Sequence, residues 1–303
     1  MTAAAPLPLR FQVGARTLFA IRRRLVRVGL SLDGALDRRT PALPPLGHGD
    51  HGYLITSLAA RHEAAIRSAR PHLLAVERQR YMRRYAHLSG GFDAYLGALS
   101  SNTRSTLKRK TRKFRESFGE LDFRTYRSPA EIATFHDLAI SLSRMTYQER
   151  LLDAGLPEGE AARAQMVHLT THDRVRAFLL FAEGAPIAYL YCPAEGDTLI
   201  YAHLGYDPAF AAHSPGAVLQ FEAMRALVEE GRFARFDFTE GDGQHKRQFA
   251  TGAVECVDLL LLRRTPANLL LAGGMRGFDV SVSVVKRVLA ATGGGRLVSR
   301  IRR

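Results

Sequence analysis

The stretch that decides the fold of this chain is Asp197–Phe249, with the sequence DTLIYAHLGYDPAFAAHSPGAVLQFEAMRALVEEGRFARFDFTEGDGQHKRQF. Thr198–Tyr206 is an aromatic and apolar run that predicts a strand, and Pro208 breaks it. A helix is expected to begin at Ser214, a good N-cap residue, and to end at Gly231. A strand that leads into a helix forms an anion site, because the first amides lack helical partners and the dipole favours negative charge.

The first turn of this helix is the candidate anion site. Pro215 suits the first helical position, and Gly216 has no side chain that would keep a phosphate away. An ordinary capped helix is the alternative explanation of the Ser-Pro-Gly sequence. Arg235–Phe238 then predicts a short buried strand, and an acidic, glycine-bearing loop follows it up to Lys246.

The composition describes a globular protein with an excess of positive charge. The chain has 303 residues, 46% hydrophobic and 24% charged, enough to bury one large core or two ordinary ones. Lys and Arg number 43 against 29 acidic residues, which gives a formal net charge of +14. Such a charge attracts polyanions: nucleic acid, anionic lipid, phosphorylated cofactors or acidic carrier proteins.

No segment of the sequence predicts a transmembrane helix or a secretion signal. No window reaches the roughly 18 uninterrupted apolar residues that a membrane span needs. Arginines interrupt the N-terminal segment where a secretion signal would be apolar. Cys192 and Cys256 lie in apolar, strand-like runs and are expected to be buried thiols. We therefore expect a cytoplasmic protein.

The chain divides into four predicted regions. Residues 1–50 predict an irregular basic arm, in which Arg16–Val28 is expected to be an amphipathic helix. That helix would pack on its own domain or make a peripheral contact with a membrane surface. Residues 51–173 are expected to be helical and packed on the core, 174–265 to form the core, and 266–303 to be a helical, basic segment.

The core region alternates short strands with turns. Arg176–Ala182, Pro186–Cys192 and Thr198–Tyr206 are rich in Phe, Leu, Ile and Tyr and are separated by breaks that contain Gly and Asp. Such breaks predict tight turns and antiparallel hairpins. Val254–Leu262 predicts a further strand. The fold class is therefore α/β, of the α+β type, with helices beside a mainly antiparallel sheet.

A long basic helix is predicted at Phe92–Phe118, where the apolar residues follow a 3.6-residue period and Gly119 ends the pattern. Its second half, Arg104–Arg115, contains basic residues and no acidic one. The basic residues are Arg104, Lys108, Arg109, Lys110, Arg112, Lys113 and Arg115. Because these like charges repel one another, a bound polyanion is the alternative to a solvated helix face.

No metal site is predicted. His168 and His172 have the spacing of zinc ligands on one helix face. The sequence has no Glu between them in the His-Glu-x-x-His arrangement and no third ligand nearby.

Five segments occur in an order and spacing that resemble a known superfamily. They are Asn102–Lys110, Pro186–Leu190, Gly205–Pro208, Ser214–Gly216 and Phe236–Lys246. On these segments the chain resembles the GNAT acyltransferases. It looks most like the bacterial GNAT-like family of the CelD, or cellulose-biosynthesis, type, which is akin to the FemABX peptidyltransferases. The resemblance covers rather more than half of the chain.

The resemblance implies a GNAT-like mixed sheet and transfer of an acyl group from a thioester to an amine or hydroxyl. It implies that Ser214 and the backbone amides of Gly216, Ala217 and Val218 hold the pyrophosphate of acyl-CoA. This chain departs from the common pattern, because the segment has a single glycine and Pro215 has no N–H. A donor bound to an acyl carrier protein or to tRNA therefore stays open.

The loop after the Arg235–Phe238 strand is expected to contain the catalytic base. Acyl transfer to an amine needs a base to remove a proton and donors or a cation to stabilise the oxyanion. Glu240 or Asp242 would act as the base, directly or through water, and His245 is a second candidate. Lys246 would bind a phosphate or a substrate carboxylate.

Two strand tyrosines are candidates for the remaining roles. Tyr201 would protonate the leaving thiolate as a catalytic acid, and Tyr191 is a candidate for the same role or for substrate binding. Buried strand tyrosines that only fill the core are the alternative.

The sequence thus predicts an N-acyltransferase that uses acyl-CoA or an acylated carrier and no metal. The acceptor would be an amino group of a sugar, an amino acid or a cell-envelope precursor, as in polysaccharide biosynthesis. One alternative is a FemABX-like transferase that uses aminoacyl-tRNA. The other is a non-catalytic module that binds a polyanion through Arg104–Arg115.

Overall fold

The structure, a computed structural model, describes residues 5–13, 16–150, 155–241 and 243–291. The chain forms two compact units. One unit is Met1–Tyr81 together with Val254–Arg303, and the other is Met82–Ala253. Among the described residues, no helix combines the length and the apolar character needed to cross a membrane.

The strands and helices follow one another along the whole chain. The strands are β1 Ala5–Val13, β2 Arg16–Gly29, β3 Gly52–Ala59, β4 Leu73–His87, β5 Asp122–Tyr126, β6 Val175–Ala182, β7 Ala185–Glu195, β8 Thr198–Ile200, β9 His203–Tyr206, β10 Arg235–Asp237 and β11 Gly252–Arg263. The α-helices are α1 Leu32–Leu36, α2 Glu63–Ser68, α3 Phe92–Ala98, α4 Ser101–Phe118, α5 Pro129–Arg150, α6 Glu160–Thr170, α7 Pro215–Glu230, α8 Gln244–Phe249 and α9 Pro266–Ala291. Short 3₁₀ helices lie at Ala60–His62 and Pro208–His213.

The unit formed by the two ends of the chain is built on β1, β2, β3 and β11. Strands β1 and β2 pair antiparallel, β2 and β3 parallel, and β3 and β11 antiparallel. Leu25, Leu260, Leu271 and Met275 meet in one of its buried clusters, so α9 contributes to this core.

The N-terminal arm differs from its prediction. Arg16–Val28, expected to be a helix in an irregular segment, lies in strand β2 of a hairpin with β1. Ala20, Arg22 and Arg24 are exposed and alternate with partly or fully buried neighbours, which is the period of a strand. The helix prediction was wrong because consecutive arginines mask this alternation, and the pairing partner β1 decides between the two patterns.

The unit Met82–Ala253 has a sheet that is covered by helices on both faces. Strands β5, β6 and β7 pair antiparallel, β9 pairs antiparallel with β7, and β8 pairs parallel with β10. Residues of β6 alternate between two clusters: Phe178 and Leu180 lie in the first, with α7, and Ala177 and Leu179 in the second, with α5. The predicted fold class, a mixed and mainly antiparallel sheet flanked by helices, is confirmed.

The predicted hairpin of the core is confirmed. Strands β6 and β7 pair from Val175↔Pro193 to Ala182↔Ala185. Glu183 and Gly184 join them with φ values of 53° and 79°, a left-handed turn that matches the twist of a two-residue hairpin. The helix that was expected to end at Gly231 is α7, and Gly231 has a φ of 64° at its C-cap.

Two predicted elements are divided in the structure. The helix expected at Phe92–Phe118 is α3 and α4, and Ser100 caps α4 by accepting a hydrogen bond from the Thr103 N–H (3.2 Å). The 3.6-residue period of apolar residues continues across the break, so the period alone predicts one helix. Ser100, a residue type favoured at N-caps, is the sequence signal for the start of a second helix. Thr198–Tyr206 is likewise two strands, β8 and β9.

Candidate active site

A cavity of about 610 Å³ lies beside the first turn of α7. The polar residues that line it come from five parts of the chain. They are Lys110 of α4, Tyr201, His203 of β9 with Tyr206, Ser214 and Gln220 at α7, and Gln244, His245 and Gln248 of α8. The cavity is therefore the place in this unit where titratable and hydrogen-bonding side chains converge.

The cavity opens where β8 and β9 separate. The Tyr201 N–H donates to the carbonyl oxygen of Asp237 (2.8 Å), whereas the Ala202 N–H donates to the carbonyl oxygen of Tyr191 (3.3 Å). Adjacent residues thus bond to two different strands, β10 and β7. This change of partner divides the single strand that the sequence predicts at Thr198–Tyr206, and it places Tyr201 at the opening.

Two of the predicted catalytic residues meet at this opening. The rings of Tyr201 and His245 have centroids 5.9 Å apart, and both residues line the cavity. Tyr201 also contacts Phe236 and Phe238, with centroids 6.3 and 6.1 Å away. Fully buried phenylalanines on one side therefore hold the phenol ring against the imidazole.

Among the described residues, the base candidate other than His245 lies outside the cavity lining. Glu240 is exposed and is absent from the described residues that line the cavity. Asp242 lies outside the described residues. The Lys246 ammonium donates to the Glu240 carbonyl oxygen and to Thr239 Oγ1 (3.4 Å). Burial lowers the pKa of Lys246, and the nearby carboxylates of Glu240 and Asp237 oppose this effect.

A buried ion pair anchors the start of the same loop. Arg83 donates from Nη2 to Asp237 Oδ2 at 2.6 Å and from Nε to both carboxylate oxygens at 3.2 Å. Asp237 Oδ1 also accepts from the Thr239 N–H (2.8 Å). Both side chains are buried, so loss of either would leave an unpaired buried charge. No local sequence pattern indicates this pair, because its members are 154 residues apart.

The N-terminus of α7 has little capacity for a ligand. Ser214 has left-handed backbone angles (φ 54°, ψ 47°), and its side chain makes no capping hydrogen bond. Its carbonyl oxygen accepts from the N–H groups of Ala217 (3.0 Å) and Val218 (3.2 Å). Ser214 is the N-cap residue of α7, as predicted, but its side chain does not bond the helix; Ser214 also ends the preceding 3₁₀ helix, where its own N–H donates to the Ala211 carbonyl oxygen (3.1 Å).

Gly216 serves close packing as well as the cavity wall. A Cβ at this position would lie 3.2 Å from Leu204 Cδ2 and 3.3 Å from Tyr206 Cδ1. The absent side chain therefore lets α7 approach β9. Ser214, Gly216 and Ala217 line the cavity, whereas the side chain of Val218 is fully buried in the core.

Tyr191 lies in the core beneath the second helical layer. It contacts Phe135, with ring centroids 6.2 Å apart, and burial raises the pKa of its phenol. Alternate residues of β7 face opposite sides of the sheet: Leu190 and Cys192 belong to the cluster with α7, and Tyr191 to the cluster with α5. Strand parity therefore separates Tyr191 from Tyr201.

The basic helix α4 divides into three kinds of residue. Arg104 donates to the carbonyl oxygens of Leu96, Gly97 and Leu99 (3.2, 3.3 and 2.6 Å), so it caps the end of α3. Lys110 lines the cavity. The remaining basic side chains are exposed: Lys108, Arg109, Arg112, Lys113 and Arg115.

Several residues that line the cavity were not among the residues predicted from the sequence. His203 was assigned only to a strand, and Gln220, Gln244 and Gln248 were not considered. Spacing contained a usable signal for some of them, because Gln220 follows Gly216 by four residues and Gln248 follows Gln244 by four, so each pair shares one helix face. Across the described parts of the chain, no group of three or more His, Cys, Asp or Glu side chains could hold a metal ion.

The elements around the cavity match a known family. Residues 101–247 match the model of a family described as the acetyltransferase (GNAT) domain. The matched residues, just under half of the chain, are therefore similar to a GNAT domain. The match begins at the first residue of α4 and extends into α8, so it includes nearly all of the lining described above. This match supports the assignment of the protein as an acyltransferase.

Solved structures share the fold at low sequence identity. A domain described as the C-terminal part of a lysylphosphatidylglycerol synthetase from Agrobacterium fabrum has a TM-score of 0.52 and 12% identity, over 76% of this chain and 72% of that chain. FemX has a TM-score of 0.50 and 10% identity, over 74% and 75%. A conserved protein of unknown function from Bacteroides thetaiotaomicron has a TM-score of 0.50 and 14% identity, over 70% of each chain. No curated protein matches the chain.

Proposed function

We propose that the GNAT domain transfers an acyl group from a thioester donor to an amino group of a sugar, an amino acid or a cell-envelope precursor, as a member of the CelD-like type. The observation that carries this proposal is the convergence of Tyr201, His245 and Lys110 on one cavity at the opening between β8 and β9. A hydrogen-bonding acid, a base and a cation are the groups that acyl transfer to an amine requires.

In the proposed reaction the amine nitrogen attacks the thioester carbonyl, a C–N bond forms and the C–S bond breaks. His245 takes the proton that the amine loses. Tyr201 donates its phenolic proton to the leaving thiolate. After product release, His245 loses its proton to solvent and Tyr201 takes one up from solvent, so the pair is restored after each turnover. Glu240 and Lys246 have a positioning role in this proposal, because the Lys246 ammonium holds the loop at Thr239 and Glu240.

The phosphates of the donor are assigned mainly to α4. Pro215 has no N–H, and the amides of Ala217 and Val218 already donate to Ser214, so the first turn of α7 leaves the Gly216 amide for a pyrophosphate. An acyl-CoA donor needs charge from elsewhere. Lys110 supplies it inside the cavity, and the exposed basic residues of α4 continue it outside.

A donor attached to tRNA is a second candidate. It is favoured by the five exposed basic residues of α4, which is more charge than the phosphates of one coenzyme need. The fold likeness to FemX is compatible with it. An acidic acyl carrier protein would use the same face.

A melting-shift screen distinguishes these donors. The intact protein is heated with acetyl-CoA, a long-chain acyl-CoA, an acylated carrier protein or an aminoacyl-tRNA. A true donor at a hundred times its Kd stabilises the fold by about 2.7 kcal/mol, which raises Tm by roughly 5 °C or more. Lys110→Ala should remove the shift, and the matched control Lys108→Ala, on an exposed position of the same helix, should retain it. If no donor class raises Tm, the proposed function is wrong.

A further inference from the structure

The exposed side of α9 lacks the polar residues of an ordinary surface helix. In Pro266–Phe278, the exposed residues are Pro266, Ala267, Leu269, Leu270, Gly273, Gly274, Arg276 and Gly277. Arg276 is the one charged member of this described set. The buried side, with Leu271, Ala272 and Met275, already packs in the core. A helix that is apolar on both sides is stable when its second side also contacts apolar groups instead of water.

Exposed large apolar side chains are concentrated on this surface. Among the described residues with side-chain positions, four large hydrophobic residues are exposed: Phe19 (51%), Met145 (43%), Leu269 (49%) and Leu270 (78%). Three of the four belong to β2 and α9. Phe19 and Leu270 line a groove of about 370 Å³ between these two elements, together with Ile21, Leu271 and Phe278. We refer to this groove and the exposed side of α9 as the β2–α9 surface.

The charge around the β2–α9 surface has one sign. Arg23 lines the groove and donates from Nε to Asn268 Oδ1 (3.1 Å), and the exposed arginines Arg264 and Arg276 lie just before α9 and on it. From Met1 to Leu32 the sequence has six arginines and no acidic residue. From Arg263 to Phe278 it has three arginines and no acidic residue.

We propose that the β2–α9 surface docks onto an anionic lipid bilayer, with Leu269, Leu270 and Phe19 entering the interface and the arginines meeting the lipid phosphates. Apolar side chains flanked by basic ones match the layering of such a surface, where acyl chains lie under anionic headgroups. The groove is apolar apart from Arg23 and has room for part of an acyl chain. This role is separate from the chemistry proposed for the cavity in the other unit.

Other occupants fit the surface less well. A second copy of the chain would bring the same positive charge against itself, which disfavours a two-fold interface. Nucleic acid would satisfy the arginines but would leave Leu269 and Leu270 against a charged backbone. A bilayer with anionic headgroups provides phosphates for the arginines and acyl chains for the leucines.

Vesicle sedimentation tests the proposal on the full-length protein. Vesicles of phosphatidylcholine alone are compared with vesicles that also contain phosphatidylglycerol, at low and high salt. We expect sedimentation with the anionic vesicles, a loss of binding at high salt, and little binding to phosphatidylcholine. The double substitution Leu269→Glu and Leu270→Glu should reduce the partition coefficient about tenfold or more, because both leucines would otherwise enter the apolar layer.

The control is Met145→Glu, which places the same charge at an exposed apolar position of α5 in the other unit. It should bind like the unsubstituted protein. Leu269 and Leu270 are exposed, so their substitution should leave Tm unchanged; if the double variant does not fold, Leu270→Gln alone replaces it. Equal vesicle binding by the double variant, or no binding to anionic vesicles, overturns the proposal. A concentration-dependent dimer that the double variant abolishes would also overturn it, in favour of self-association.

Discussion

The first turn of α7 and the basic face of α4 both border the cavity, and they differ in what each has left for an anionic donor. The sequence favours α7, where Ser-Pro-Gly follows a strand and opens a helix. The structure shows two of its amides, those of Ala217 and Val218, already bonded to Ser214 and its glycine packed against β9. On α4, Lys110 reaches the cavity and five basic side chains are exposed.

The difference shows that a helix N-terminus binds anions only with the amides that its own cap leaves unbonded. In α7 the Ser214 carbonyl oxygen accepts from Ala217 as well as from Val218, so among the first-turn amides the Gly216 N–H remains for a ligand. Side-chain charge on a neighbouring helix has no such internal competitor. We therefore propose that α4 provides the positive charge that binds the phosphates of the donor, and that α7 provides part of the cavity wall.

The largest expected effect tests whether the chemistry lies in the cavity that both helices border. Tyr201→Phe and His245→Gln should each lower kcat about 10²- to 10⁴-fold, because an acid or base positioned in the transition state contributes that much. The measurement is steady-state acyl transfer with the donor found in the melting screen. Glu240→Gln is the control and should retain kcat within a few-fold. If Glu240→Gln is as impaired as His245→Gln, the assignment of the base is wrong.

Charge reversal on α4 tests whether this helix binds the anionic donor. Lys110→Glu should raise the KM of the donor about 10- to 100-fold, since it removes one charge-assisted contact and adds a repulsion. Lys108→Glu makes the same change in net charge at an exposed position of the same helix. It should alter the KM by far less, and this small effect should be larger at low salt than at high salt. Equal effects of the two variants would mean that only the overall field of the helix matters.

Gly216→Ala tests the packing role of the first turn of α7. The added Cβ would approach Leu204 and Tyr206 to 3.2 and 3.3 Å, so we expect a loss of about 1–3 kcal/mol in the free energy of unfolding. Chemical denaturation measures it. The KM of the donor should change little among the molecules that remain folded. A large rise in the KM of the donor without loss of stability would instead indicate that the first turn of α7 binds a phosphate of the donor.

The smallest effect concerns Ser214. An N-cap side chain that bonds the helix typically contributes about 1 kcal/mol, but the Ser214 side chain makes no such bond. Ser214→Ala should therefore change the free energy of unfolding by less than about 0.5 kcal/mol. Ser214→Gly should stabilise the protein slightly, by a few tenths of a kcal/mol up to about 1, because its φ of 54° suits glycine. If Ser214→Ala lowers the free energy of unfolding by about 1 kcal/mol, the Ser214 side chain does cap the helix.

Much of the core region could be predicted from sequence, because its signals are local. The β6–β7 hairpin has its turn at Glu183-Gly184, and α7 ends at a left-handed glycine, Gly231. The N-terminal arm could not be predicted in this way. Strand β2 depends on its pairing with β1 and β3, which the arginine-rich pattern does not reveal.

The candidate site shows the same limit. Tyr201, His245, Ser214 and Gly216, which the sequence patterns single out, line one cavity. Tyr191 and Tyr201 were equivalent in the sequence, since both are tyrosines in apolar strands. Strand parity and the separation of β8 from β9 distinguish them.

The sequence by itself determined the α+β class, the core hairpin and the presence of a basic helix. These follow from side-chain period, turn residues and charge, which act over a few neighbouring positions. Only the tertiary structure decided which side chains meet. Lys110, Tyr201 and His245 come from three distant segments, and the Arg83–Asp237 pair joins residues 154 apart. Such contacts depend on how strands pair and which face each residue takes, and no local pattern records either.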